Sequence, residues 1–221
     1  MAVLCWSLAA AALLGAGATR AQSSSGTSSC GWAAEISGDQ LNVAFPDEAA
    51  RYWVADLPIP PGFHVEVDGR YPHARYISFI TYDGATRAID GIHDTQIAPD
   101  RGSINPFVAD AVRTSVRRSY TVYVRKATLP AGGRARNTVY TANGKPVPQT
   151  KTSQPTQTAT LIYRVYEADQ GLDVTGGVGL PELELVSDDG TQRRRLPDCP
   201  AHLTGKMVAC ATKARRRAGK L

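Results

Sequence analysis

The chain has 221 residues and a mass of 23.6 kDa, and its 25 basic and 20 acidic residues give a formal net charge of +5. Hydrophobic residues make up 43% and charged residues 20%, a balance typical of folded globular proteins that excludes a wholly disordered chain. After the N-terminus no apolar run approaches the roughly 20 residues that a membrane-spanning helix needs, so no transmembrane helix is predicted in the mature chain.

The first 18 residues are almost entirely apolar, and two small-residue cleavage sites follow at 16–18 and 19–21. This pattern is typical of a secretory signal peptide, although no Lys or Arg precedes the apolar run. The alternative is a buried N-terminal helix. We interpret residues 1–21 as a signal peptide and the polar residues 22–40 as a linker. The mature protein is therefore expected to be secreted, periplasmic or held in the cell envelope.

Removal of the signal peptide leaves Cys30, Cys199 and Cys210, so at most one disulfide forms within the chain. A bond between Cys30 and Cys199 closes a loop of about 170 residues, which stabilises the fold by roughly 4 to 5 kcal/mol in the chain-entropy picture. We favour this pairing, and Cys199 with Cys210 is the local alternative. No C-x-x-C pair exists, so a zinc site is not predicted.

Alternating apolar and polar residues and frequent turn signals dominate the middle of the chain, and only residues 108–118 have helical character. Four long and four short strands are expected. A parallel α/β sheet is excluded because the crossover helices that it needs are missing. The sequence predicts a mostly β domain over 41–190, an antiparallel β-sandwich or jelly roll with one short helix at most. The predicted strands are 42–45, 52–54, 63–68, 76–82, 120–125, 137–141, 160–166 and 182–186.

Basic residues are concentrated at the C-terminus. Residues 193–221 contain nine basic side chains and one acid, whereas residues 22–192 contain 15 bases and 19 acids. We interpret residues 191–221 as a basic, disordered tail. The alternative is that the basic segment from Arg193 to Lys220 binds a glycan or an anionic envelope surface. Nucleic acid is not a predicted partner, because no aromatic residue lies among these bases for stacking.

Seven segments between residues 42 and 187 form a distinctive set: YWV at 52–54, PPG at 60–62, GRYPHARYISF at 69–79, YD at 82–83, DRGSINPF at 100–107, LIYRVY at 161–166 and DVTGG at 173–177. Together they resemble a family of secreted bacterial proteins of unknown function, and more distantly the C-terminal jelly-roll domain of uncharacterised envelope proteins. The resemblance implies export and a β-sandwich, and it brings no activity and no catalytic residue.

Standard catalytic motifs, such as G-x-S-x-G, H-E-x-x-H and the P-loop, are absent from the sequence. The densest polar cluster contains Asp90, His93 and Asp94, in which either carboxylate could orient His93 as a general base. Together with His73, this cluster supports the alternative function of a hydrolase or a metal-assisted enzyme. The oxygens of Asp100 and Asn105 beside Gly102 are candidate calcium ligands, although turn chemistry explains the same residue types.

The segment 70–76 brings cations, aromatic rings and a histidine onto one turn and the strand that follows. Aromatic faces and planar guanidinium groups suit sugars and acidic glycans. The alternative is that the two tyrosines pack inside and the two arginines pair with Glu66 and Asp68. We expect a non-catalytic binding module without a resident cofactor rather than an enzyme. The candidate binding residues are Arg70, Tyr71, His73, Arg75 and Tyr76.

Overall fold

The structure, a computed structural model, describes residues 30–37, 49–83, 87–142 and 158–199. The predicted signal peptide, most of the linker, the strand predicted at 42–45 and the chain after 199 lie outside these ranges. A 3-10 turn (Asp94–Gln96) separates the fifth strand from the sixth. The strands are β1 (Ala34–Ser37), β2 (Ala50–Pro58), β3 (Phe63–Arg70), β4 (Ala74–Tyr82), β5 (Ala88–His93), β6 (Ser119–Thr128), β7 (Thr138–Ala142), β8 (Thr158–Ala168), β9 (Glu182–Ser187) and β10 (Arg193–Arg195).

Two five-stranded sheets form the molecule. The first sheet has the order β1-β2-β8-β4-β5 and the second has the order β10-β9-β3-β6-β7. All strand pairs are antiparallel except β6 with β7, which is parallel. The predicted β-sandwich is confirmed, with the addition that one sheet is mixed. Among the described residues, no helix is long or apolar enough to cross a membrane.

The core lies between the sheets and follows from the alternation of side chains along each strand. In the first sheet, Trp53 pairs with Tyr163 and Tyr163 pairs with Phe79. The Tyr163 ring lies 4.8 Å from the Phe79 ring and 5.6 Å from the Trp53 ring, measured between centroids. The neighbours of these residues along each strand therefore face outward. The second sheet contributes Val65, Val67, Tyr120, Val122, Val124, Val139, Leu183 and Leu185 to the same core.

Residues 108–118 form turns rather than the predicted helical segment. Asp110 takes a positive φ of 62°, which an α-helix does not contain. Val112 and Val116 are exposed, so the segment has no buried apolar face against which a short helix could be stabilised.

The described fold exceeds the predicted domain (41–190) at both ends: β1 lies within the predicted linker, where it pairs with β2, and strand structure continues past residue 190. β10 consists of three arginines, and it pairs with the acidic strand β9. Arg193 contacts both Glu66 and Glu184, while Arg195 lies 2.9 Å from Glu182. Residues that the sequence analysis assigned to the tail therefore form a strand, because their charges pair with the acids of β3 and β9.

The predicted disulfide between Cys30 and Cys199 is confirmed. Cys30 precedes β1 at the edge of the first sheet, and Cys199 follows β10 at the edge of the second. The amide of Gly31 donates to the carbonyl of Pro197 at 2.7 Å beside the bond. The disulfide thus ties the two sheets together along one edge.

Candidate binding face

The outer surface of the first sheet carries three tyrosines around one arginine. Register places Tyr52 opposite Arg164 and Tyr166 opposite Tyr76, on the three neighbouring strands β2, β8 and β4. All four side chains are half-buried and lie on the side of the sheet away from the core. We call Tyr52, Tyr76, Tyr166 and Arg164 the tyrosine face.

Arg164 lies at the centre of the tyrosine face. Its guanidinium carbon is 5.4 Å from the Tyr52 centroid, 5.6 Å from that of Tyr76 and 5.4 Å from that of Tyr166. Each such cation–π contact contributes about 0.5 to 1 kcal/mol at an exposed site. No carboxylate of the described chain forms an ion pair with Arg164, and its buried Nε has no hydrogen-bond partner there. The rings hold the cation in place and leave its charge uncompensated.

Ser78 lies directly opposite Arg164 on β4, and it too lacks a partner. Its side chain is 2% exposed, and its hydroxyl oxygen makes no hydrogen bond within the described residues. A buried polar group without a partner costs about 1 to 3 kcal/mol. Two adjacent unsatisfied polar groups, Arg164 Nε and Ser78 Oγ, therefore lie beneath the aromatic rings.

His93 forms the border of this face. It pairs with Ser78 in the strand register, and its ring stacks on Tyr76 with 6.2 Å between centroids. Its Nδ1 donates to the carboxylate of Asp94 at 3.1 Å. The structure therefore brings together His93, predicted as a catalytic residue, and Tyr76, predicted as a binding residue, and Asp94 orients the imidazole.

Asp90 does not reach His93, because residues three apart on a strand point to opposite faces. Its carboxylate instead binds Arg134 in two contacts of 2.7 and 2.6 Å and accepts from the Tyr140 amide at 2.9 Å. Burial alone would raise the pKa of Asp90, but the Arg134 guanidinium and this amide hold that pKa below its usual value. Asp90 thus links β5 to the segment around β7, and its carboxylate binds Arg134 rather than orienting His93.

The other predicted binding residues do not share one surface. Tyr71 is fully buried, and its hydroxyl donates to the carbonyl of Ile97 at 2.6 Å. Arg70 donates to the carbonyl of Val116 at 2.9 Å, whereas Arg75 is exposed and pairs with Glu167. Neither arginine pairs with Glu66 or Asp68, contrary to the alternative interpretation of the sequence. Of the predicted group, Tyr76 is the member that belongs to the tyrosine face.

His73 and His93 lie far apart. His73 precedes β4, five residues before the position that pairs with His93, which corresponds to about 16 Å along the strand. The ring of His73 accepts a hydrogen bond from the buried Arg118. Burial and the charge of Arg118 lower the pKa of His73. The two histidines are therefore not members of one site.

The predicted calcium ligands are placed in a loop. Asn105 is buried, and its amide nitrogen donates to the carbonyls of Asp94 and Ile97 at 2.7 and 2.8 Å. Its side-chain oxygen accepts from the Phe107 amide at 2.8 Å. Asn105 thus stabilises the loop with both of its polar atoms, and calcium binding beside Asp100 stays a prediction.

An acidic group that the sequence did not single out lies on the outer surface of the second sheet. Ligand oxygens of Glu66, Asp68 and Glu184 lie within 4.8 Å of one another. Arg193 contacts Glu66 and Glu184, so a side chain already supplies positive charge there. Burial and the nearby carboxylates raise the pKa of Asp68.

The sequence analysis missed Tyr52, Ser78, Arg164 and Tyr166 as site residues. Alternation in the segment 163–166 does place Arg164 and Tyr166 on one side of a strand, opposite Tyr163. That signal gives no information about which strands lie beside β8. Only the strand order and register bring Tyr52 and Tyr76 to the same arginine.

No protein-family model and no curated protein matches the chain. Its fold is similar to the crystal structure of an uncharacterised protein from Burkholderia cenocepacia, with a TM-score of 0.41 and 16% sequence identity. The similarity covers 82% of this chain and 41% of that protein, so this chain spans less than half the length of its structural neighbour.

Proposed function

We propose that this protein is a non-catalytic, secreted or envelope-located module that binds acidic carbohydrate on its tyrosine face. The observation that carries the proposal is the guanidinium of Arg164, which lies among three tyrosine rings and forms no ion pair with the described carboxylates. The disulfide between Cys30 and Cys199 agrees with an oxidising compartment outside the cytosol.

The chemistry of the face suits a sugar that carries a carboxylate or a sulfate. Aromatic rings offer flat apolar surfaces against which the C–H faces of a sugar ring pack. A planar guanidinium matches an acidic group with two parallel hydrogen bonds, and such charge-assisted bonds are about twice as strong as neutral ones. A ligand carboxylate at Arg164 would compensate a charge that the described protein leaves without an acidic partner.

The alternative is a hydrolase that uses His93 and Asp94, whose 3.1 Å contact resembles a base and its orienting carboxylate. A nucleophile must lie within hydrogen-bond distance of its base. Ser78 is in register with His93, but its oxygen has no hydrogen-bond partner within the described residues and the residue is 2% exposed. The geometry around His93 therefore favours binding over nucleophilic catalysis.

The test compares binding of oligogalacturonate, an acidic glycan, with binding of neutral dextran oligosaccharides by isothermal titration calorimetry. Arg164→Gln and Tyr76→Ala are each expected to weaken oligogalacturonate binding at least about fivefold, because each removes a contact of about 1 kcal/mol or more. The matched controls are Arg125→Gln and Tyr123→Ala, which change the same residue types on the outer surface of the second sheet.

Controls that weaken binding as much as the tyrosine-face variants would overturn the proposal, as would equal affinity for the neutral oligosaccharide. Release of reducing ends from oligogalacturonate that stops in His93→Ala would establish the hydrolase instead. A dimer that dissociates in Tyr76→Ala without any glycan would assign the face to a second copy of the chain. Far-UV circular dichroism of each variant checks that the sandwich is intact.

A further inference from the structure

A row of aliphatic residues lies beside the tyrosine face on the outer surface of the first sheet. Register pairs Val54 of β2 with Ile162 of β8, and Ile162 with Ile80 of β4. Each of the three lies two positions along its strand from the row that contains Arg164, so its side chain points to the same side of the sheet. None of them belongs to the core cluster between the sheets. We call Val54, Ile80 and Ile162 the apolar strip.

The apolar strip is small and close to the guanidinium. Neighbouring strands lie about 4.8 Å apart and two residues along a strand span about 7 Å, so the strip crosses about 10 Å of sheet and begins about 7 Å from Arg164. Ile80 and Ile162 are half-buried, and Val54 is 6% exposed. On β5 the row ends at Gly91, where a Cβ would lie 3.3 Å from Cγ1 of Ile80. The bare backbone of Gly91 therefore leaves Ile80 uncovered on that side.

Tyr82 borders the apolar strip on the side away from the tyrosine face. It is half-buried and pairs with Thr160 of β8, in the row beyond the strip. Burial raises the pKa of the Tyr82 hydroxyl, Tyr52 adds to this rise and the charge of Arg164 opposes it, which agrees with a position near both side chains. The hydroxyl of Thr160 donates to Asp56 at 2.7 Å. The polar side chains of the next row therefore bind each other rather than the strip.

The chemistry of the apolar strip differs from that of the tyrosine face beside it. Valine and isoleucine side chains have no hydrogen-bonding group, and β2, β8 and β4 each have a hydrogen-bonded strand on both sides. A sugar hydroxyl placed on the strip would lose its bonds with water and find no replacement. An acetyl ester at the same position removes that hydroxyl donor and offers a methyl group for burial.

We propose that the tyrosine face and the apolar strip together select an O-acetylated acidic glycan, with a sugar carboxylate at Arg164 and an acetyl methyl group on the apolar strip. This inference rests on the proposed function and adds the substituent that the acidic ligand carries. A cation and an apolar row about one sugar ring apart match an acid and an acetyl group on the same or adjacent sugars. A methyl ester does not match, because it removes the charge that Arg164 binds.

The test compares three forms of oligogalacturonate of equal length by isothermal titration calorimetry: unmodified, O-acetylated and methyl-esterified. The acetylated form should bind at least about fourfold more tightly than the unmodified form, because one more methyl group leaves water. The methyl-esterified form should bind at least about fivefold more weakly than the unmodified form, because it has lost its charge-assisted bonds with Arg164.

Substitutions locate this preference on the molecule. Ile162→Thr and Ile80→Thr should each reduce the affinity ratio between acetylated and unmodified oligomers to less than about twofold, because each removes aliphatic surface from the apolar strip. Val186→Thr is the matched control. Val186 is a β-branched residue that pairs with His64 and Arg193 on the outer surface of the second sheet, and its substitution should leave the ratio at the wild-type value. Far-UV circular dichroism checks that each variant is folded.

The outcomes separate this inference from the proposed function. Binding of the unmodified oligomer that depends on Arg164 but shows no preference for acetylation would overturn the inference and leave the proposed function in place. Failure of both the unmodified and the acetylated form to bind would overturn both. A preference that persists in Ile162→Thr and Ile80→Thr, or that is lost equally in Val186→Thr, would overturn the assignment to the apolar strip. Tighter binding of the methyl ester than of the unmodified form would also overturn it.

Discussion

The two outer surfaces of the sandwich differ in whether their arginines form ion pairs. On the second sheet, Arg193 lies between Glu66 and Glu184, while Asp188 contacts both His64 and Arg125 at 3.0 Å. The hydrogen bond from His64 and the charge of Arg125 hold the pKa of Asp188 below its usual value. On the first sheet, Arg164 contacts three aromatic rings and no described carboxylate.

On the second sheet Arg193 and Asp188 have oppositely charged partners within the protein, whereas on the first sheet Arg164 has no acidic partner in the described chain. The charges of Arg193 and Asp188 on the second sheet are paired within the protein and leave little for a ligand to gain there, although Asp68 beside them forms no ion pair in the described chain. An arginine held by rings, above a buried serine that has no hydrogen-bond partner in the described chain, can still form its strongest bonds with a molecule from outside. The comparison is the physical basis for assigning ligand binding to the first sheet.

The largest expected loss of stability follows removal of the disulfide, because this bond joins the two sheets and its loss should destabilise both of them alike. Replacing both Cys30 and Cys199 by Ser should lower the free energy of unfolding by about 4 to 5 kcal/mol in a urea titration. Binding to oligogalacturonate well below the melting temperature should not change. A loss under about 1 kcal/mol would mean that the bond does not constrain the unfolded chain.

The link between β5 and the segment around β7 comes next. Asp90→Asn should lower the free energy of unfolding by about 3 kcal/mol at pH 7, because it leaves Arg134 without the carboxylate that binds it twice. Since folding lowers the pKa of Asp90, its contribution is complete above the unfolded pKa of about 4 and is lost as the pH falls through the folded value. The difference in the free energy of unfolding between Asp90→Asn and the wild type should therefore narrow below about pH 4.

The control for this prediction is Asp188→Asn, which weakens the contacts of this half-exposed carboxylate with Arg125 and His64 and should cost no more than about 1 kcal/mol. Equal losses in the two variants at pH 7 would contradict the assignment of Asp90 as a tie between the sheets.

A matched substitution on the two surfaces tests the comparison itself. Arg193→Met should lower the melting temperature, because it leaves the carboxylates of Glu66 and Glu184 side by side. Arg164→Met should change it by less than about 2 °C, since the lost cation–π contacts are offset by removal of an unsatisfied buried Nε. Equal losses measured by differential scanning calorimetry would show that both arginines serve stability alone.

The smallest effect is expected at Arg75, which the sequence placed in the binding group. Its pair with Glu167 is largely exposed, with the two side chains 69% and 48% accessible. Arg75→Gln should change the free energy of unfolding by less than about 0.5 kcal/mol and leave glycan affinity unchanged. A clear loss of affinity would extend the binding surface beyond the tyrosine face.

Much of the fold could be predicted because a strand can be recognised from the pattern of its own residues. Alternation over 63–68 and the aromatic and β-branched segment 160–166 sufficed to predict β3 and β8. Three strands were not predicted. β1 lies in the segment assigned to the linker, β5 contains Gly91 and an irregular pattern, and β10 is three arginines that need the acids of β9 opposite them. Tyr71 was assigned to a surface although it is fully buried, since a tyrosine on a turn is compatible with either position.

The sequence by itself determined the β class and the face on which each residue of a strand lies, because both follow from composition and a period of two. It favoured the bond between Cys30 and Cys199 but left Cys199 with Cys210 as an alternative, and the structure decided between them. The tertiary structure alone decided that β8 lies between β2 and β4. That order places Tyr52, Tyr76 and Tyr166 around one arginine, with Tyr52 and Arg164 112 positions apart in the sequence. Local patterns carry no information about which strands become neighbours, since neighbours are chosen by the packing of the whole core.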